Sequence, residues 1–361
     1  MKNLIISGKK TIHPPLLYFP RWFSYGLELK PRFHNEFHIA LYDKDKFEKY
    51  GEKAPRASEA WAYNVFCNQG LDQIRRYYWD SSSFDYGRRP HQWMKYCGIG
   101  TGSGTPAAGD TSFFNYLGYA DMATEGEVGS PDTNGINHTT QQYYHRHKFF
   151  WDLDEGNGSL TEVGLVNYYS PGDEVITHAM FQDAEGFPIT VVKDSTKVMV
   201  VTATVYLERG TSDSGAVVLD DMIDKLINSD DLPSWNYGLV WKYQNISASY
   251  RYGYIYLGDT DQAVDRSDCY GTDYPVLGST RSYKQVDSAQ ATASGYGIAL
   301  YADWDLGEGN GTWYEVGYRL NINNTNKNFA RFDLPSGLVS GNSLTKTSDK
   351  KLRVDLEIYF T

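Results

Sequence analysis

The sequence predicts a mainly β protein: two tandem, duplicated antiparallel sandwich modules, each with one packed helix, behind an extended N-terminal arm. Three observations carry that expectation. The 361 residues include 30 Tyr, 34 Gly and 9 Trp, and aromatic side chains suit pleated, half-buried surfaces while glycine suits the turns between strands. The stretch Trp151-Asp-Leu-Asp-Glu-Gly-Asn-Gly-Ser-Leu-Thr-Glu-Val-Gly164 recurs as Trp304-Asp-Leu-Gly-Glu-Gly-Asn-Gly-Thr-Trp-Tyr-Glu-Val-Gly317, 153 positions later. The same offset lays Lys193, Lys197, Val205 and Tyr206 over Lys346, Lys350, Ile358 and Tyr359, the sign of a unit written twice. Finally, Val198 to Tyr206 and Leu352 to Phe360 are β-branched and aromatic runs, as closing strands are.

In chain order, residues 1–56 form the arm. Pro14, Pro15, Pro20 and Pro31 interrupt it, yet it carries Tyr18, Phe19, Trp22, Phe23, Tyr25, Phe33 and Phe37. A segment so rich in aromatics packs on something, either its own sandwich or a neighbouring subunit. Module 1 covers residues 57–210. Pro55 and Ser58 suggest a helix start, with Trp61, Val65, Leu71, Ile74 and Tyr78 as its apolar stripe. Module 2 covers residues 211–361 and repeats the device with Leu219, Met222, Ile223 and Leu226. Tyr250, Tyr252, Tyr254 and Tyr256 share one face by the strand period of two. Such a row fills a core, stacks on sugars or builds a subunit interface. Asn157-Gly158 and Asn310-Gly311 predict tight hairpins with type I′ turns.

Composition excludes several functions. A formal charge of −11 leaves no basic surplus for direct nucleic-acid binding through phosphates. No apolar run approaches the roughly 20 residues of a membrane-spanning helix, so no membrane insertion is expected. Cys67, Cys97 and Cys269 are too few for a disulfide framework. Leu4-Ile5-Ile6 is too short for a secretory core, which predicts folding in a reducing cytoplasm.

The candidate chemical motifs each have a plainer reading. Gly98-Ile-Gly-Thr-Gly-Ser-Gly-Thr-Pro-Ala-Ala-Gly-Asp-Thr111 looks like a phosphate loop but lacks the Gly-Lys-Ser/Thr ending, so a strand-to-turn connection is expected. Asp152, Asp154 and Asn157 resemble part of a calcium loop with the wrong glycine spacing. Asp152 with Asp305, Glu155 with Glu308 and Glu162 with Glu315 recur in both copies, as glycosidase acids would and as hairpin decoration would. His145 and His147 alternate along a strand, as two metal ligands would, with no third ligand at a recognisable spacing. We therefore expect no enzyme activity, no catalytic residue, no cofactor and no metal.

The glycine-rich stretch Gly98 to Thr111, the Asn157-Gly158-Ser-Leu-Thr-Glu-Val-Gly-Leu165 hairpin, the strand Lys197 to Leu207 and the stretch Asn68-Gln-Gly-Leu-Asp-Gln-Ile74 together resemble tailed-bacteriophage virion proteins of the tail-fibre and tail-collar type. The resemblance covers residues 57–210 well, and the second copy through its hairpin and last strand. It implies a virion structural protein of the tail or neck, a ring or collar component, as in short-tailed, crAss-like phages, that helps attach tail fibres. The implied partners are further copies of the chain in a ring and other tail, neck and fibre proteins, assembled in the host cytoplasm. The expected interface residues are Tyr18, Trp22, Phe23 and Tyr25 of the arm with Tyr250, Tyr252, Tyr254 and Tyr256. The alternative reading is a lectin-like, receptor-binding tail protein that grips host glycans through the tyrosine row and the loop from Gly126 to Asn137.

Overall fold

A computed structural model of the chain describes residues 10–12, 21–29, 32–72, 96–137, 142–166, 174–208, 215–217, 254–259, 281–291, 297–322, 325–333 and 344–359. These residues are mainly β, as the sequence predicts. They fall into two compact units, Phe33–Leu207 and Met1–Arg32 with Glu208–Thr361.

Two strands precede the first unit: β1 (Lys10–Ile12) and β2 (Arg21–Leu29). The first unit follows with β3 (Arg32–Asp43), helix α1 (Lys44–Tyr50), β4 (Ser58–Tyr63), β5 (Val65–Phe66), β6 (Tyr96–Gly100), β7 (Tyr116–Asp121) and β8 (Asp132–Asn137). It closes with β9 (Gln142–Trp151), β10 (Gly158–Leu160), β11 (Glu162–Leu165), β12 (Thr177–Met180), β13 (Val191–Lys193) and β14 (Lys197–Glu208). One five-stranded sheet has the order β4-β3-β14-β9-β8, the other β5-β12-β11-β6-β7, and β10 pairs with β13.

The alternation of side chains decides which face is core. Phe33, Phe37, Ile39 and Leu41 of β3, Phe149 and Trp151 of β9, and Met199, Val201, Ala203 and Val205 of β14 are all buried. So are Cys97, Ile99, Val163, Leu165 and Ala179 of the other sheet. The opposite face of the first sheet is covered at one end, where Phe47 of α1 packs on Tyr42 and Phe150 with ring centroids 5.1 and 5.7 Å apart.

The second unit continues with β15 (Gly215–Val217), β16 (Tyr254–Gly258), β17 (Arg281–Gln285), β18 (Ser288–Ala291), β19 (Gly297–Trp304) and β20 (Gly311–Trp313). Its remaining strands are β21 (Glu315–Ile322), β22 (Thr325–Asp333), β23 (Leu344–Lys346) and β24 (Lys350–Tyr359). The sheet orders are β1-β2-β24-β19-β18, β15-β22-β21-β16-β17 and β20-β23. Position by position this is the spatial order of the first unit, with one difference in chain order: the edge strand β4 follows β3, whereas its counterpart β1 precedes β2.

Two expectations are refined. Of the two partners expected for the arm, its described residues take the first, strands of their own chain. Trp22, Phe23 and Tyr25 lie in β2, which pairs with β1 on one side and runs parallel to β24 on the other, Arg21 opposite Lys350 through Leu29 opposite Ile358. Both backbone edges of the segment are thereby used inside the second unit. Residues from Phe33 onward belong to the first unit, where β3 sits between β4 and β14. From the region 1–56 the first sandwich thus takes β3 and the second takes β1 and β2, and the module boundaries 57–210 and 211–361 omit them.

The helix expected from Ser58 is also displaced. Ala60 and Ala62 are fully buried and alternate with Trp61 and Tyr63 along β4, a period of two that antiparallel pairing with β3 fixes. Within the stretch from Ser58, helical residues begin only at 68, and the helix that packs on the sheet is α1, between β3 and β4. The stripe from Leu219 to Leu226 lies outside the described residues, as do Tyr18, Tyr250 and Tyr252.

Candidate functional site

The glycine-rich stretch and the repeated hairpin meet at one buried carboxylate. Glu162 is fully buried at the start of β11. Its Oε1 accepts the backbone N–H groups of Gly102 and Asn115, each at 2.8 Å, and its Oε2 accepts that of Phe114 at 3.0 Å. A Cβ at Gly100 or Gly102 would stand within 2.6 Å of Oε1. Only glycine permits that approach of backbone to carboxylate. The anion held by this glycine loop is therefore a side chain of the protein itself.

His178, fully buried in β12, completes the node. Its Nε2 donates to Glu162 Oε2 at 2.8 Å and its Nδ1 to Asp110 Oδ2 at 2.7 Å. Two carboxylates accept and neither donates, so both ring nitrogens carry hydrogen and the ring is an imidazolium. Burial alone would lower the His178 pKa, but hydrogen bonds to Glu162 and Asp110 raise it above the ordinary value. Burial pushes the Glu162 carboxyl up; His178 and the three backbone amides more than offset this and hold it below its ordinary value. Arg331 follows Glu315 at the same 16-residue spacing that separates His178 from Glu162. A histidine needed for proton transfer would not be matched by arginine, which does not deprotonate, whereas a structural cation would.

Asn68 and Gln69, which also carry the resemblance, reach the same loop. Asn68 N–H donates to the Ala108 carbonyl at 2.7 Å, and Gln69 Nε2 donates to the carbonyls of Thr111 at 3.0 Å and Val175 at 2.6 Å.

The recurring acids and asparagines close turns. Lys193, 1% exposed, reaches under the turn to donate to the Asp152 carbonyl at 2.7 Å and Asn157 Oδ1 at 3.0 Å. Lys346, 2% exposed, does the same with the Asp305 carbonyl and Asn310 Oδ1 at the same two distances. Glu155 and Glu308 accept the N–H of Asp152 and Asp305 at 3.1 and 3.0 Å. The turns are not type I′. Their left-handed residues are Gly156 at φ 61° and Gly309 at φ 58°, and Gly158 and Gly311 are extended at φ 158°. Asp154 makes no calcium loop with them, since Lys193 occupies the centre of the turn.

Tyr256 is 1% exposed and lies over Gly317, where a Cβ would stand 1.8 Å from the Tyr256 ring. It belongs to the core and not to an interface, and Tyr254 beside it is half-buried. The stretch Gly126 to Asn137, expected as a loop, contains strand β8 and buried Val128. Cys67 and Cys97 are buried thiols. Burial pushes Cys67 up to about 12 and Cys97 well above its ordinary value, which removes the thiolate that nucleophilic attack requires.

Two surface features remain. Among the described residues, the other end of the outer face of sheet β4-β3-β14-β9-β8 forms a trough of about 340 Å³ lined by Trp61, Tyr63, His38, Glu36, Arg146 and Tyr206. His34 stacks on Tyr206 with centroids 4.7 Å apart, and the Tyr206 hydroxyl donates to Glu36 at 3.2 Å. On the inner face of the same sheet, His145 and His147 of β9 meet Asp132 of β8. Asp132 Oδ1 contacts His145 Nε2 and lies 3.5 Å from His147 Nε2. Burial raises the Asp132 pKa, but hydrogen bonds to both histidines outweigh it and hold the carboxyl well below the usual carboxylate range.

No protein-family model, no curated protein and no solved structure matches this chain.

The node and the His–Asp cluster were invisible to spacing arguments because their members are joined by pairing. Asp110, Glu162 and His178 sit on different elements, and Asp132 faces His147 only through the register of β8 on β9. The one available signal was the strand alternation of His145 and His147.

Proposed function

We propose that this chain is a structural protein of a phage virion, a ring or collar component of the tail or neck that assembles by contact with copies of itself and with neighbouring tail and fibre proteins. The supporting observation is where the resembling residues go. The glycine stretch, the hairpin and Asn68-Gln69 meet at the Glu162–His178–Asp110 node, whose carboxylates and imidazolium satisfy one another and the backbone. What they build is a rigid turn between strands, suited to carrying interfaces. We propose no catalytic role: Glu155 and Glu308 close turns, Glu162 holds the glycine loop, and the arginine opposite Gly317 replaces the histidine in the second copy. Rings close through heterologous contacts, one patch against a different patch on the next subunit.

The test is to locate the chain in a density map of the intact virion. Placement in a ring at the tail or neck supports the reading; absence from the particle, or turnover of a glycan by the purified protein, overturns it.

The trough supports the alternative of a receptor-binding tail protein. Trp61 and Tyr63, the latter 58% exposed, offer ring faces beside Glu36 and Arg146, the combination on which sugars stack and hydrogen-bond. A glycan array separates the two readings, since saturable binding abolished by Trp61→Ala favours the receptor role.

A further inference from the structure

The two sandwiches serve as controls for each other. Where the first unit places His145 and His147 in β9, the matching positions of β19, at the 153-residue offset, carry Ile298 and Leu300. Opposite His147 the first unit has Asp132, and opposite Leu300 the second has Ala289. One strand plan therefore accepts three apolar residues in this slot, and Leu300 is buried there at 1% exposure. The first unit instead buries two imidazoles, at 0% and 1% exposure, against a carboxylate whose side chain is 41% exposed. Burying polar groups in place of well-packed apolar ones costs stability unless something is gained.

We infer that Asp132, His145 and His147 form a binding site for a divalent first-row transition ion of the zinc class. Each residue offers one ligand atom, and the three atoms lie within 4.8 Å of one another. A tetrahedral zinc site, with bonds of about 2.0–2.1 Å, needs ligand atoms roughly 3.3 Å apart, so the His147–Asp132 separation of 3.5 Å already has the span. The backbone explains the convergence. Residues i and i+2 of a strand share a face, and a cross-strand partner adds the third side chain about 5 Å away. The histidine pair sits in a paired strand, with Phe149 and Trp151 packed farther along the same face, which holds the rings in place. Ring centroids 4.3 Å apart at 81° let both nitrogens point to one place. Two imidazoles and one carboxylate favour a borderline-soft ion over Ca²⁺ or Mg²⁺, which prefer all-oxygen shells. Three protein ligands leave a fourth position, on the side where Asp132 meets solvent, for water or an outside ligand. The ion pins the edge strand β8 to β9.

The experiment titrates the full chain with Co²⁺ and then Zn²⁺. The expected result is a visible absorption band of a tetrahedral cobalt centre that saturates at one equivalent, is bleached by Zn²⁺, and is missing from a variant carrying Asp132→Ala, His145→Ile and His147→Leu, the residues the second unit uses. Zinc should also raise the thermal midpoint of the native chain and leave that of the variant unchanged. Absence of the band in the native chain, or its persistence in the variant, overturns the inference. Should the triple variant fail to fold, Asp132→Asn, a change at a half-exposed position, should weaken Co²⁺ binding by at least about tenfold, and unchanged affinity overturns the inference.

Discussion

Replacing Glu162 by glutamine tests whether the buried node is a structural brace. The change keeps the shape and removes the charge. Oε1 retains its contacts to Gly102 and Asn115, but a hydrogen bond to a neutral acceptor contributes about 1 kcal/mol where one to a charged group contributes about 2. That is a loss of roughly 2 kcal/mol over the two. The new amide nitrogen faces the Phe114 N–H, previously bonded at 3.0 Å, and leaves it a buried donor without an acceptor, a further cost of about 1–3 kcal/mol. The sum is a destabilisation of about 3–5 kcal/mol, to be read from guanidinium denaturation of the full chain, followed as the earlier transition if the two units unfold separately. The pH profile gives a second, independent reading. His178 is raised in the folded state, so its contribution is complete below its unfolded value of 6.5 and is lost as pH climbs through the folded pKa. Glu162 is lowered, so its contribution is complete above 4.5 and is lost as pH falls through its folded pKa. The native chain should be steadiest between those two limits. In Glu162→Gln the imidazole can stay neutral and accept from the new amide, so the decline on the alkaline side should shrink. A midpoint shift of less than about 0.5 kcal/mol, or an unaltered alkaline limb, would refute the assignment of His178 and Glu162 as a charged internal pair.

Further outcomes follow from the same geometry. Lys193→Met leaves the Asp152 carbonyl and Asn157 Oδ1 without their buried donor and should cost about 2–4 kcal/mol, with faster amide exchange confined to residues 152–157; Lys346→Met should do the same at 305–310. Gly156→Ala and Gly309→Ala place a Cβ at positive φ and within 2.9 and 2.5 Å of the Trp151 and Trp304 rings, so each should cost about 2–4 kcal/mol and perturb the tryptophan emission of the native state. Iodoacetamide at pH 8 should leave Cys67 and Cys97 unlabelled in the folded chain, as peptide mapping will show, and label both once guanidinium unfolds it.

How much of this was legible in the sequence differs from element to element. The duplication was, because Trp151 and Trp304 head the same turn and Lys193 and Lys346 latch it; identical contacts demand identical residues at a fixed offset. The β class was, because alternation in Val198 to Tyr206 has no helical reading. β4 was not: Ser-Glu-Ala-Trp-Ala-Tyr buries only Ala60 and Ala62, and small residues give period-finding little to hold. β2 and β3 were hidden for another reason. Each has one partner far along the chain, β24 for β2 and β14 for β3, and no local pattern reports a pairing at that distance. The turn type was missed because Asn-Gly is the commoner left-handed pair, whereas here the left-handed residue is the glycine just before it, seated on an indole. Glu162 was picked out among the recurring acids for catalysis, and it turned out to be the ligand of the loop that had been compared with a phosphate cradle.

The placement of β2 also dictates an order of events during synthesis. Its parallel partner β24 lies about 330 residues downstream, so the sheet that needs both stays open until the ribosome has delivered nearly everything else. The first unit, from Phe33 to Leu207, can close much earlier. For most of translation the chain carries an aromatic-bearing strand whose β24 edge is open, joined through Lys30 and Pro31 to a finished sandwich. Unsatisfied strand edges invite the wrong partner, and in a cell filling with copies of one chain the nearest wrong partner is the Lys350–Tyr359 segment of a sister molecule. Exchange of that strand between neighbours is therefore the misassembly this topology must avoid or put to use.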